Sequence, residues 1–361
     1  MLIDTLGYGG GAERQFAGLA TALHNKSLNV KVLAYYDDNG YQNELREAGI
    51  DYKILSHKES QLSKFKAVRR QLVKERPDIV ISYKDAPNNI ACMIKASGAK
   101  WRLIVSDRNT LQNVSRAIRL QYGLLYRFAD FIVPNSYAQK SFIDNNFRHL
   151  SSKVRVITNF TDTDTFTPAS TPRIHAKELK KTILTVARIA KQKNTLTYIE
   201  AAKALALKWR DKAHIVWYGA PNVSEEEYVT LCRNKIIEYG IQDFFEFKEP
   251  VVDIADVYRS ADIFCLPSNW EGFPNALCEA MASGLAVCAS DICDNRRIIS
   301  DGINGLLFNQ SLPEDIALKI DNLLSMEQTS AEKLISNARS YALDNMSVEA
   351  FTEKYMSLIN H

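Results

Sequence analysis

The sequence predicts an α/β protein of two domains, each a parallel sheet flanked by helices, and three observations carry that expectation. The chain has 361 residues, enough for two separate hydrophobic cores. Short apolar runs alternate with amphipathic helical stretches along its length, the pattern of parallel strands buried on both faces. A polar connector at 165–181 breaks the alternation once. It places a first domain at 1–160, a linker at 161–181, a second domain at 182–345 and a closing helical segment at 346–361.

Composition narrows the function classes. Apolar residues make up 46% and charged residues 24%, the balance of a soluble globular chain. No apolar run approaches the roughly 20 residues that cross a bilayer. The apolar stretch at the start stops at Asp4, too early for a secretory signal. Six cysteines (Cys92, Cys232, Cys265, Cys278, Cys288 and Cys293) form no C-x-x-C pair and have no partnering histidines, so they read as buried reduced thiols of a cytosolic protein, not as zinc ligands. The net charge of +3 divides unevenly. Residues 1–160 hold 24 Lys and Arg against 14 Asp and Glu, giving +10, and the remainder gives −7. An anionic membrane surface, a lipid phosphate or nucleic acid would complement such a first half; an ordinary solvated basic face explains it equally well.

Taken in order, the first half opens with a very short strand at 2–4 and a glycine-rich turn. The helix after that turn places Phe16, Leu19, Ala20 and Leu23 on one face. Gly9, Gly10 and Gly11 lie in the turn, where bare backbone can approach a phosphate closely. Gly7, Gly9 and Ala12, with Asp37 further on, also satisfy a G-x-G-x-x-A dinucleotide pattern, although a tight strand-to-helix turn accounts for the same residues. Strands follow at 30–35, 52–55, 79–82, 101–105, 131–134 and 154–159. A helix at 62–75 buries Leu62, Phe65, Val68 and Leu72 and carries Lys64, Lys66, Arg69, Arg70 and Lys74 on a face that is solvated or turned to a membrane. Asp107 and Arg108 end a parallel strand, where ligands gather in open α/β sheets. They read either as acceptor-side contacts, with Arg108 meeting a phosphate, or as a local surface pair. Asp162-Thr163-Asp164 sits in a Thr- and Pro-rich connector and reads as turn chemistry.

In the second half a strand at 183–186 leads into Ala187–Asn194, which carries Arg188 and Lys193 just before a helix. Cations are unfavourable at that pole of a helix unless an anion faces them. An apolar run at 262–267 then leads into Ser268-Asn269-Trp270-Glu271-Gly272-Phe273-Pro274-Asn275-Ala276-Leu277-Cys278-Glu279. Pro274 suits a first helical turn. Glu271 falls in the loop and Glu279 one to two turns into the helix. Free N–H groups at the helix start favour an anion, and two carboxylates accept hydrogen bonds from hydroxyl-rich ligands.

The Glu271-x7-Glu279 spacing, with the string EGFPNALCEAMASGLAVCASD around it, resembles the signature of retaining glycosyltransferases of family 4. GGAER in the first loop, Asn135-Ser136, the VITNFTDTDTFTP linker, Arg188 with Lys193, and the DGINGLL turn at 301–307 resemble that family as well. The resemblance implies the GT-B fold: two Rossmann-like domains with parallel sheets facing a central cleft, and a last helix crossing back onto the first domain. It implies a hexosyl- or N-acetylhexosaminyl-transferase that moves a sugar from a UDP- or GDP-linked donor to a glycan or lipid-linked acceptor in polysaccharide or lipopolysaccharide biosynthesis. Arg188 and Lys193 would hold the diphosphate, with the Gly9–Gly11 loop and the backbone of Gly272, Phe273, Pro274, Asn275, Ala276 and Leu277 beside it. Glu279 would take the ribose and Glu271 the sugar. No obligatory metal or other cofactor and no nucleic-acid partner is implied. The location would be cytoplasmic, peripheral on the inner face of the plasma membrane. Many family members carry a histidine where this chain has Asp107-Arg108, which leaves the acceptor open. A nucleotide-sugar epimerase, a non-catalytic sugar-nucleotide binder and an NAD-dependent oxidoreductase are the rival readings.

Overall fold

The computed structural model describes residues 1–7, 11–36, 40–55, 60–108, 113–170 and 180–361. Two compact units result, one of Met1–Phe160 with Val348–His361 and one of Thr161–Ser347.

In the first unit six parallel strands, β1 (Leu2–Ile3), β2 (Lys31–Ala34), β3 (Asp51–Ile54), β4 (Ile79–Tyr83), β5 (Arg102–Asp107) and β6 (Phe131–Pro134), form a sheet in the order β3-β2-β1-β4-β5-β6. In the second, β7 (Lys181–Val186), β8 (Ala213–Tyr218), β9 (Phe245–Lys248), β10 (Ile263–Leu266), β11 (Ala286–Ser290) and β12 (Leu306–Phe308) run β12-β11-β10-β7-β8-β9, again all parallel. Counted from its own first strand, each sheet has the same winding, the doubly wound order of nucleotide-binding folds. The α/β expectation with two parallel sheets is met.

Strand side chains alternate between faces, so each sheet builds a core on both sides. In the first unit Val32, Ala34, Ile81, Ile104 and Val133 pack against helices Gly11–Asn25 and Val348–Ile359. Their neighbours Leu33, Val80, Leu103, Val105 and Ile132 pack against helices Gln61–Glu75 and Asp85–Ala96. In the second unit Ile183, Ile215 and Ile263 face helices Thr195–Trp209 and Pro313–Leu324, whereas Leu184, Phe264 and Val287 face Asn275–Ala282 and Gln328–Met346.

Three local expectations change, and a fourth, the turn at Asp162, is met. Leu62 is exposed and Lys64 is buried, because the helix starts after its Ser60 cap with Leu62 turned out. The Lys64 stem lies inside and its ammonium donates to the Tyr36 hydroxyl, so the charge is held by a phenol oxygen. Residues 154–159 form one bridge, Val154 to Ile132, in place of a strand. Pro274 caps the helix that begins at Asn275, one position earlier than a first-turn proline. Asp162 spends both carboxylate oxygens on its own turn: Oδ1 accepts from the Asp164 and Thr165 amides at 3.1 and 3.0 Å, and Oδ2 from Thr165 Oγ1 at 2.7 Å.

Candidate active site

β7 and β10 are neighbours at the point where the strand order of the second unit reverses, so the loops leaving their carboxyl ends share one crevice. The loop after β7 is anchored from beneath. Trp217 Nε1 donates to the Ala187 carbonyl at 2.6 Å. Ile189 exchanges backbone hydrogen bonds with Ala220 and Asn222, both at 3.0 Å. Lys191–Lys193 then form a 3₁₀ turn, and Asn194 closes it in the left-handed region (φ 56°) with Nδ2 donating to the Gln310 carbonyl at 2.7 Å.

The loop after β10 is tied to this one through backbone groups. The Asn269 amide donates to the Gln192 carbonyl and Asn269 Nδ2 to the Lys191 carbonyl, each at 2.8 Å. Gln192 Nε2 donates to the Trp270 carbonyl at 3.1 Å. Across the seam Lys193 Nζ meets Glu271 Oε1 at 2.6 Å, and Ser268 Oγ donates to the same oxygen at 2.5 Å. Glu271 and Ser268 are buried, so the pair works in a medium where charge-assisted bonds are strong. Oε2 of Glu271 makes no hydrogen bond among the described residues. Arg188 differs from Lys193: it is exposed and has no hydrogen-bond or ion-pair partner among the described residues.

Glu279 lies in helix Asn275–Ala282, whose Leu277, Cys278 and Met281 are buried below it. Its carboxylate is also buried and accepts from the Tyr258 hydroxyl at 3.0 Å. Burial, and then the Glu279 charge, push the Cys278 thiol well above its ordinary range, which leaves it inert as a nucleophile. Glu271, Lys193 and the start of this helix are thus brought together, with Arg188 on the same β7 loop and Glu279 on the helix itself.

In the first unit Asp107 and Arg108 do not form a surface pair. Asp107 is buried and accepts from the Tyr122 hydroxyl and from Gln139 Nε2, the latter at 2.9 Å. Arg108 donates to Asn159 Oδ1 at 2.7 Å and to the Tyr83 and Tyr355 hydroxyls at 2.8 Å each, with its guanidinium 4.5 Å from the Tyr83 ring centroid. Burial raises the Tyr83 hydroxyl well above its usual range, so it meets the guanidinium as a neutral acceptor. Gly11 opens helix Gly11–Asn25, whereas Gly9, Gly10 and Asp37 lie outside the described residues.

One charged cluster escapes sequence reasoning. Lys84 follows β4 with φ 71° and ψ 163°, a region normally left to glycine, and its ammonium reaches Glu13 at 2.6 Å and Asp4 at 3.0 Å. Burial pulls the Lys84 pKa down, and the hydrogen bonds to Glu13 and Asp4 raise it by more, leaving it above its ordinary value. Nothing in the spacing of residues 4, 13 and 84 signals the cluster; β1 and β4 become neighbours only in the folded sheet. No group of acidic, histidine or cysteine side chains suited to a metal ion occurs among the described residues.

Two family models match the chain: Glycosyltransferase Family 4 over residues 9–165 and Glycosyl transferases group 1 over residues 169–341. The chain belongs to glycosyltransferase family 4. Relatives of this family 4 chain include the GalNAc-alpha-(1->4)-GalNAc-alpha-(1->3)-diNAcBac-PP-undecaprenol alpha-1,4-N-acetyl-D-galactosaminyltransferase of Campylobacter jejuni, 25% identical over 97% of this chain and 95% of that one. The UDP-Gal:alpha-D-GlcNAc-diphosphoundecaprenol alpha-1,3-galactosyltransferase of Escherichia coli is 26% identical over 57% and 54%. Among solved structures, Anabaena HepE in complex with UDP has the same GT-B fold, with a TM-score of 0.85 at 18% identity over 99% of this chain and 98% of that one. No described helix is long and apolar enough to cross a membrane.

Proposed function

We propose that this family 4 chain moves a hexosyl or N-acetylhexosaminyl group from a UDP- or GDP-linked donor to a lipid-linked glycan acceptor at the inner membrane face, with retention of configuration. The observation that carries the reading is the seam between the β7 and β10 loops, where Lys193 is fixed on Glu271 while Arg188 has no ion-pair partner among the described residues. Glycosyl transfer expels a nucleoside diphosphate, and cations already in place stabilise that charge more in the transition state than in the bound donor. Arg188 and Lys193 take the diphosphate in this reading, and backbone N–H groups from Gly272 to Leu277 add contacts at the helix start. Glu271, with Oε1 held by Lys193 and Ser268, turns Oε2 to a sugar hydroxyl; it is not a nucleophile. Glu279 takes the ribose. The acceptor class is supported by the undecaprenol-linked glycans in the two relatives' names.

Calorimetric titration with UDP, GDP and NAD tests this. UDP or GDP binds in the micromolar range, and Arg188→Ala weakens that binding at least tenfold, about 1.4 kcal/mol. Binding of NAD alone overturns the proposal in favour of an oxidoreductase.

A further inference from the structure

Among the described residues of the first unit, exposed cations without ion-pair partners gather on one layer. Helices Gln61–Glu75 and Asp85–Ala96 and the helical stretch 116–128 lie in one layer over its sheet, joined through Val68, Leu72, Ile90, Ile94, Tyr122 and Tyr126. The outer surface of that layer exposes Lys66, Arg69, Arg70, Lys74, Arg116 and Arg119, none with an ion-pair partner among the described residues. It also exposes Leu62 (62%), Val73 (67%), Met93, Leu120 and Leu124. Along helix Gln61–Glu75, Leu62, Lys66, Arg69 and Val73 follow at i, i+4, i+7 and i+11, so cations and aliphatic chains share one stripe. The opposite layer mixes its signs: Glu44, Glu47, Glu349 and Glu353 are exposed beside Arg46, Lys354 and Lys26, and Lys26 pairs with Glu353 at 2.7 Å.

We propose that the basic layer is a docking face for the surface of an anionic lipid bilayer. Peripheral binding needs apolar side chains that enter the headgroup region and cations that meet anionic lipid, and this layer supplies both in alternation. Nucleic acid is the weaker match, because a single-strand platform presents aromatic rings and the exposed apolar groups here are aliphatic. Leu62, Val73, Met93, Leu120 and Leu124 are exposed on the layer that carries those cations, where facing water brings no structural gain. The inference rests on, and deepens, the reading of the chain as a transferase for a lipid-linked acceptor, since it presents the enzyme to the surface that holds such an acceptor.

The test is co-sedimentation of the full chain with phosphatidylcholine vesicles with and without phosphatidylglycerol, at low and at molar salt. The wild type partitions onto the anionic vesicles at low salt and is released at molar salt, where screening is nearly complete. Lys66→Glu/Arg69→Glu/Arg70→Glu weakens partition at least about a hundredfold, and Leu62→Ser/Val73→Ser weakens it further at unchanged charge. Lys180→Glu/Lys212→Glu/Lys333→Glu, an equal charge change on exposed lysines of the second unit, leaves it within a few-fold. Equal binding by wild type and the first triple variant, an equal loss in the control, or preference for single-stranded RNA over vesicles overturns the proposal. Unchanged thermal melts exclude misfolding. Titration with UDP and GDP on the same proteins separates the two readings. Nucleotide binding without vesicle binding removes the docking face alone, and vesicle binding without nucleotide binding removes the transferase reading alone.

Discussion

Lys193 and Arg188 leave the same strand-to-helix turn and end in opposite states. Lys193 is locked on a buried carboxylate that a serine also holds, whereas Arg188 is exposed with no hydrogen-bond or ion-pair partner among the described residues. Their substitutions should therefore separate. Arg188→Ala removes no hydrogen bond or ion pair among the described residues, so its stability stays within about 0.5 kcal/mol of wild type while nucleotide affinity falls. Glu271→Gln keeps an acceptor for Ser268 but takes the counter-charge from Lys193, and removing one partner of a buried pair costs about 3–5 kcal/mol at the extreme. Steady-state kinetics on Glu271→Gln should show kcat reduced about a hundredfold. A wild-type rate would remove Glu271 from the site. The cations were legible as candidates from charge at a helix start; their different partners were not, because Glu271 is 78 residues from Lys193 in sequence.

At the level of the element, the site depends on how closely three loops stack behind the β7 turn. Gly219 marks the tightest approach: a Cβ there would lie 1.9 Å from the Ala187 carbonyl oxygen, a backbone atom that cannot step aside. Gly219→Ala should lower stability by about 2–3 kcal/mol and shift the segment carrying Arg188, so nucleotide affinity falls with it. A thermal melt beside a UDP or GDP titration reads both, and intact affinity with a lowered melting temperature would separate the turn from the site. Helix Gln61–Glu75 shows where periodicity misleads. Its apolar spacing counts Leu62 as core and Lys64 as solvent-facing, yet Tyr36 takes the Lys64 ammonium and Leu62 turns outward. A 3.6-residue period cannot tell an apolar residue in the first turn from one over the sheet.

For the molecule as a whole, the last helix belongs with the beginning of the chain. Phe351, Tyr355 and Leu358 complete the core that holds Phe16 and Tyr83, and the Tyr355 hydroxyl meets both Tyr83 and Arg108. Ending the chain after Ser347 would remove those three side chains, each contributing roughly 2 kcal/mol, and uncover Phe16 and Tyr83. Hydrogen exchange on such a truncated protein should then lose protection through 1–160 and keep it through the second unit. Uniform protection in both would mean that the helix only covers a surface. Arg108, an acceptor candidate on sequence grounds, is in this light also the residue that ties the last helix to β4 and β5.

Short-range pattern encodes the part of this protein that can be read along the chain. Two runs of alternating strands and helices, the glutamate pair at 271 and 279, the cations before the helix at Thr195 and the family resemblance could all be read locally. Which charges face one another is set by the folded sheets. Parallel sheets bring together the ends of strands far apart in sequence, so the Lys193–Glu271 pair, the Lys84 cluster with Asp4 and Glu13, and the tyrosine cage around Arg108 exist only once strand order is set.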